Sequence, residues 1–164
     1  MKRLITLVAA AGLAALALVW VVALGGTDRR SQPPGVTITP LVHATIGDRV
    51  RASSAGIRIR TRGPKDMLVA SILVEPGGSF GWHSHPGPVF VGVESGTLAL
   101  YMAHQGHCRR TSVGPGQAFV EDGGAVHLAR NEGSTPIQIY ATFLARRGTQ
   151  SFLTEELVPR ACRS

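Results

Sequence analysis

Cysteine is scarce in this chain: Cys108 and Cys162 are the only two among 164 residues. A zinc site built on paired cysteines at close spacing is therefore excluded. No internal repeat is present, and after residue 26 no stretch carries a helical period. A helix bundle is excluded on that ground. Aromatic residues are only 5 % of the chain, and none lies between Arg49 and Arg62, where Arg49, Arg51, Arg58, Arg60 and Arg62 cluster. A nucleic-acid surface needs stacking platforms among its cations, so no nucleic-acid partner is expected. The alternation in Gly56 to Arg62 fits a strand with one solvated basic face.

Charge is also missing from one end. Lys2 and Arg3 precede an uncharged apolar run from Leu4 to Leu24. Roughly 18 apolar residues suffice to cross a bilayer, whereas a secretory signal has a shorter centre of roughly 7–15. Residues 1–26 are therefore read as a signal anchor, with cleavage after Gly25 or Gly26 as the alternative of a signal peptide. The basic residues ahead of the run stay in the cytoplasm under the positive-inside rule. The remainder is expected on the extracytoplasmic side, held to the membrane by the N-terminal helix, or secreted if the signal is cleaved. The formal charge of +7 divides into +3 on residues 1–30 and +4 on residues 31–164.

What is plentiful is turn punctuation. With 20 glycines and 10 prolines, the chain after a linker at residues 27–35 breaks into short apolar or alternating runs. These include Val36–Thr45, Met67–Val74, Ser79–His85, Val89–Glu94, Thr97–Ala103, Gln117–Glu121, Ala125–Arg130 and Ile137–Ala145. Ser95-Gly96 reads as the turn of a hairpin between two of them. Strands this short and this frequent indicate an all-β barrel or sandwich over residues 36–148. Residues 149–164 read as a C-terminal tail. Outside the cytoplasm two cysteines in a small domain tend to pair, so a Cys108–Cys162 disulfide is expected to tie this tail down. Both thiols are free if the anchor reading fails.

Three histidines carry the chemistry. His83 and His85 are two residues apart, which places both imidazoles on one face of a strand. His127 is positioned to join them from a neighbouring strand. Neutral imidazole is a common ligand for transition metals. His43, His104 and His107 lie outside this pattern and read as surface residues.

The spacing around these histidines resembles that of a small single-domain cupin. The first motif of that family is matched by Gly77, His83, His85 and Gly96, and the second by Gly116, Gly124, His127 and Asn131. The resemblance implies an all-β jelly-roll barrel, a double-stranded β-helix, with His83, His85 and His127 holding a divalent transition metal such as Fe, Mn, Zn or Ni. Two positions depart from the family. Asp122 replaces a turn proline, a minor change at a turn. Val89 occupies the place of a metal-binding glutamate, and Glu94 is turned to the opposite face by strand alternation. The expected site is therefore three histidines without a carboxylate. Val89, Val91, Tyr101, Ala129, Gln138 and Tyr140 are the residues expected to line a pocket beside it. Such a pocket suits a small organic ligand with one metal-chelating end. The alternatives are a binding module and a metal-dependent oxygenase or isomerase, and a homodimer is compatible with either.

Overall fold

The computed structural model describes residues 32–163. The expected anchor over residues 1–26 lies outside the described residues. Among the described residues no helix is long and apolar enough to cross a membrane.

Twelve strands account for nearly all the regular structure of the described residues. In chain order they are β1 (Val36–Ile46), β2 (Arg51–Ser54), β3 (Ile57–Arg60), β4 (Lys65–Val74), β5 (Ser79–Ser84) and β6 (Val89–Ser95), followed by β7 (Leu98–His104), β8 (His107–Val113), β9 (Ala118–Glu121), β10 (His127–Asn131), β11 (Ile137–Arg146) and β12 (Thr154–Glu155). One turn of 3-10 helix follows at Arg160–Cys162. Two five-stranded sheets result, ordered β1-β4-β11-β6-β9 and β12-β5-β10-β7-β8. The all-β architecture and the sheet order are those of a jelly-roll barrel.

Alternation builds the core. On β11, Ile137, Ile139, Ala141 and Phe143 point inward, while Gln138, Tyr140 and Thr142 point outward. On β6, Val89, Val91 and Val93 are buried and Phe90 and Glu94 are exposed. Ile72 and Val74 of β4 and Leu98 and Leu100 of β7 complete one apolar cluster between the sheets. Each fully buried valine, leucine or isoleucine contributes about 1.5–3 kcal/mol. Pro40, which has no N–H to give, sits at a register shift of edge strand β1, where that loss is tolerated.

Two expectations need correction. Ser95-Gly96 is not a hairpin turn. β6 pairs with β11 and β9, whereas β7 pairs with β10 and β8, so the chain crosses between sheets there. Nor is Ile57–Arg60 a strand with one covered face. It pairs only with β2 in a separate ribbon whose residues are all exposed, Ile57 and Ile59 included. The two-residue loops Ala55-Gly56 and Gln105-Gly106 close β2–β3 and β7–β8, with positive φ at all four residues, as tight hairpins require.

The last residues are built into the barrel. Thr154 and Glu155 pair with Ser84 and His83, making β12 the edge strand of the second sheet. Cys162 is then disulfide-bonded to Cys108 of β8, the opposite edge of the same sheet. Residues 156–162 thus form a strap from one edge to the other. The expected disulfide is present, and it closes a sequence separation of 54 residues.

Candidate metal centre

His83 and His127 face each other across the β5–β10 pair. The register continues across the sheet, so Glu155, His83, His127, Met102 and Arg109 form one row over five strands. His85 follows the end of β5 on the same side as His83. Its place is held by Gly124, whose N–H donates to the His85 carbonyl at 2.8 Å. Glycine is required next door: a Cβ on Gly87 would lie 2.0 Å from the Leu144 carbonyl oxygen, and one on Gly123 would lie 2.8 Å from Gly87 Cα. The three rings converge, with centroid separations of 4.2 Å (His83–His127), 4.9 Å (His83–His85) and 5.2 Å (His85–His127). Their ligand nitrogens all lie within 4.8 Å of one another. Phe80 stacks on His83 and Phe143 meets His85 edge-on.

Each imidazole has a backbone carbonyl at Nδ1. His83 has that of Gly81 at 3.0 Å, His127 that of Ala125 at 3.0 Å and His85 that of Phe152 at 2.5 Å. A carbonyl only accepts, so Nδ1–H is the donor in all three rings. In the neutral form Nε2 then carries a bare lone pair, the tautomer a metal ligand needs. The partner of His85 comes from the C-terminal segment, far away in sequence.

A fourth group was missed by the sequence reading. Glu121, only 8 % exposed, places its carboxylate oxygens 2.9 Å from His127 Nε2 and 3.2 Å from His85 Nε2. The described ligand cluster is the three histidines, as expected, and a carboxylate that the sequence analysis did not place there stands beside two of them. Val89 has no ligand atom, but it pairs directly with Glu121 across β6 and β9. The carboxylate reaches the cluster from the neighbouring strand. The one local signal was parity: Glu121 lies two residues after half-buried Phe119 and shares its inward direction.

This arrangement has an electrostatic requirement. Burial pushes the Glu121 carboxyl upward, but hydrogen bonds and charge from His127 and His85 outweigh it and hold the group at about 2. Glu121 is then ionised and accepts only. Neutral His127 also offers only a lone pair at Nε2, which has no hydrogen-bond partner among the described residues although Glu121 is 2.9 Å away. The close contact and the unpartnered nitrogen are reconciled by a cation between them. Without a metal, that cation is a proton: burial lowers the His127 pKa, and the Glu121 carboxylate more than reverses this and raises it. His83 behaves oppositely, pushed down to about 4 by burial and then by the charge of His127. The three imidazole nitrogens, all within 4.8 Å of one another, are of a type and closeness that could hold a transition metal, and Glu121 lies 2.9 and 3.2 Å from two of them.

A cavity of about 890 Å³ opens beside the cluster, with His83, His85, Glu121, Val89 and Val91 on its wall. His127 lies behind it, 1 % exposed. Ala129 is buried in the core and not on that wall. Three of the expected pocket residues point away. Tyr140 is 44 % exposed, since the parity of β11 sends it outward. Gln138 shares that direction and donates to Ser71 Oγ and the Ile72 carbonyl. Tyr101 donates to Glu132 and lies under the guanidinium groups of Arg110 and Arg130. His43, His104 and His107 are exposed, as expected.

Comparison with known proteins adds the following. The Cupin domain family matches residues 70–143. Among curated proteins no relative matches the chain. Among solved structures, the polyketide cyclase RemF from Streptomyces resistomycificus is similar at 17 % identity and a TM-score of 0.52, over 79 % of this chain and 77 % of that one. An oxalate decarboxylase from Bacillus subtilis aligns at 24 % identity and a TM-score of 0.44, over 49 % of this chain and 22 % of that one. The DMSP lyases RdDddP and RnDddQII align at 20 % identity and a TM-score of 0.47, over 56 % of this chain and 44 % of the other.

Proposed function

With residues 70–143 belonging to the cupin family, we propose that this chain is a metalloprotein whose barrel presents one divalent transition metal to a small organic molecule. His83, His85 and His127 hold the metal through Nε2, and Glu121 is the fourth ligand. One observation carries the reading: three Nδ1–H groups are committed to backbone carbonyls, so the neutral rings turn three Nε2 lone pairs toward one another beside one carboxylate. When bound, the metal supplies Lewis acidity and a template for a coordinating ligand. The chain's own residues do the rest. The Phe152, Gly81 and Ala125 carbonyls fix the ring tautomers, and the apolar wall of Val89 and Val91 excludes water beside the ligand.

A second reading, an isomerase-type enzyme, is favoured by Glu121 itself. It is a carboxylate on the cavity wall, within reach of a bound molecule, and proton transfer needs such a group. The reading also places the domain outside the cytoplasmic membrane, anchored or released. The apolar run Leu4–Leu24 and the Cys108–Cys162 disulfide support this.

The test is the metal content of the purified full chain after growth in media supplemented with iron, manganese, nickel and zinc. About one transition-metal ion per chain is expected, lost in His127→Ala. A chain that takes up none of the four refutes the centre.

A further inference from the structure

The chain is strongly basic, with 17 lysines and arginines against 10 acidic residues. Among the described residues, no lysine or arginine lies on the wall of the cavity. Its charged members are Glu121, Glu155 and Glu156, all of one sign. Glu121 is buried at the metal cluster, while Glu155 and Glu156 are exposed, on or beside edge strand β12. Glu156 is held in place, accepting from Ser84 Oγ at 2.7 Å and donating its N–H to the Trp82 carbonyl at 2.9 Å. The deeper wall is apolar, with Val91, Leu98, Phe119, Ile139, Ala141 and Phe143. On the second sheet, the basic groups of Arg110 and Arg130 are engaged by Glu132 and Tyr101.

We propose that the cavity takes a largely apolar molecule carrying a single metal-binding donor and rejects one carrying a further anionic group. This deepens the metal-centre reading and rests on it for the donor. A divalent ion with Glu121 leaves one unit of positive charge, enough for one anionic donor atom. A second carboxylate on the same molecule meets apolar wall, the neutral polar groups of Gln32, Ser79, Gln150 and Ser151, or glutamate, and no described cation. Stripping its water without an opposite charge to pair with costs several kcal/mol, and like charge at the rim adds to that cost. Dicarboxylates and phosphorylated metabolites are excluded, while alcohols, phenols, enols and azoles with hydrocarbon bodies fit.

The probes are phenylimidazole and its para-carboxylate, which share a donor and a shape and differ by one charge. Binding to the zinc-loaded full chain is followed by titration calorimetry and by the fluorescence of Trp82, which lines the cavity. The neutral probe is expected to bind about tenfold more tightly or better. Leu153→Arg, which adds a cation to the wall, is expected to abolish or reverse that preference. Equal binding of the two probes, preference for the carboxylate, no binding of either, or a preference unchanged by Leu153→Arg overturns the proposal. The same titration on metal-free chain separates the two readings. A preference for the neutral probe there, in a chain that takes up no metal, refutes the centre and leaves the charge discrimination standing.

Discussion

Val89 and Glu121 stand opposite each other in the pairing of β6 with β9. One is 1 % exposed and apolar, the other 8 % exposed and ionised, and both face the same interior. A carboxylate absent from one strand is thereby supplied by its neighbour, a few ångströms away. This relationship sets a carboxylate beside two of the three histidines, and on the reading proposed above it completes the ligand set.

The pairing predicts the outcome of an exchange. Glu121→Gln should weaken metal binding by about tenfold to a hundredfold, measured by competition with a chromophoric chelator, with the fold intact by circular dichroism. The double variant Val89→Glu/Glu121→Val returns a carboxylate from the facing position. It should recover a substantial part of the lost affinity. No recovery in a folded double variant would show that the position on β9 is itself essential.

Stability of the metal-free chain should fall as pH drops from 6.5 to 4. The folded state holds His83 at about 4, mainly by burial, while an unfolded histidine titrates near 6.5. Between those values the unfolded chain binds a proton that the folded chain refuses, so acid favours unfolding. The full effect is on the order of 3 kcal/mol. Glu121, held at about 2, adds to the loss as pH falls below its unfolded value of 4.5. His127, with a raised pKa, contributes stability that is complete below 6.5 and lost as pH rises through its folded value. A thermal-melting optimum near pH 6.5 is expected, and a metal-free chain that is more stable at pH 4 than at 6.5 contradicts the assignment.

The Cys108–Cys162 bridge spans 54 residues. Its removal in Cys108→Ser/Cys162→Ser should cost about 4 kcal/mol by loop-closure entropy, seen in urea denaturation. Cleavage by a nonspecific protease should shift to residues 150–163, because the strap then loses its covalent hold on β8 and keeps only β12 and a few hydrogen bonds such as that of Glu156 N–H to the Trp82 carbonyl.

Asn131 offers a change in stability separable from the site. Its side chain donates to the Val74 and Thr135 carbonyls at 3.0 and 2.8 Å and accepts from Gly133 N–H at 2.9 Å. Asn131→Ala leaves two carbonyls and one N–H short of a partner and should cost about 2–3 kcal/mol. Metal stoichiometry of the folded variant should be unchanged.

The histidines were legible in the sequence because strand alternation and spacing are local properties. Glu121 was not, because its role depends on β9 lying beside β6, a pairing between strands that are not consecutive. The missing signal at Val89 drew the reading toward a carboxylate-free site. The Phe152 carbonyl had no residue-type signal at all, since any amino acid supplies one. Tyr140 and Gln138 are a different case. The alternation Ile137, Ile139, Ala141, Phe143 already assigned them to the solvent side, and polarity was given more weight than parity. Asn131, legible in the sequence only as a motif position, holds its turn through three hydrogen bonds.

The edge-to-edge strap has a consequence for the order of assembly. The three histidines lie at positions 83, 85 and 127, but the groups that finish their surroundings arrive at 152–162. A growing chain therefore possesses all three imidazoles before it possesses the carbonyl that sets the His85 tautomer. On the reading proposed above, a metal met before the C-terminal segment docks would find His85 without that partner. The fold thereby separates the moment of having the three imidazoles from the moment of having their finished surroundings.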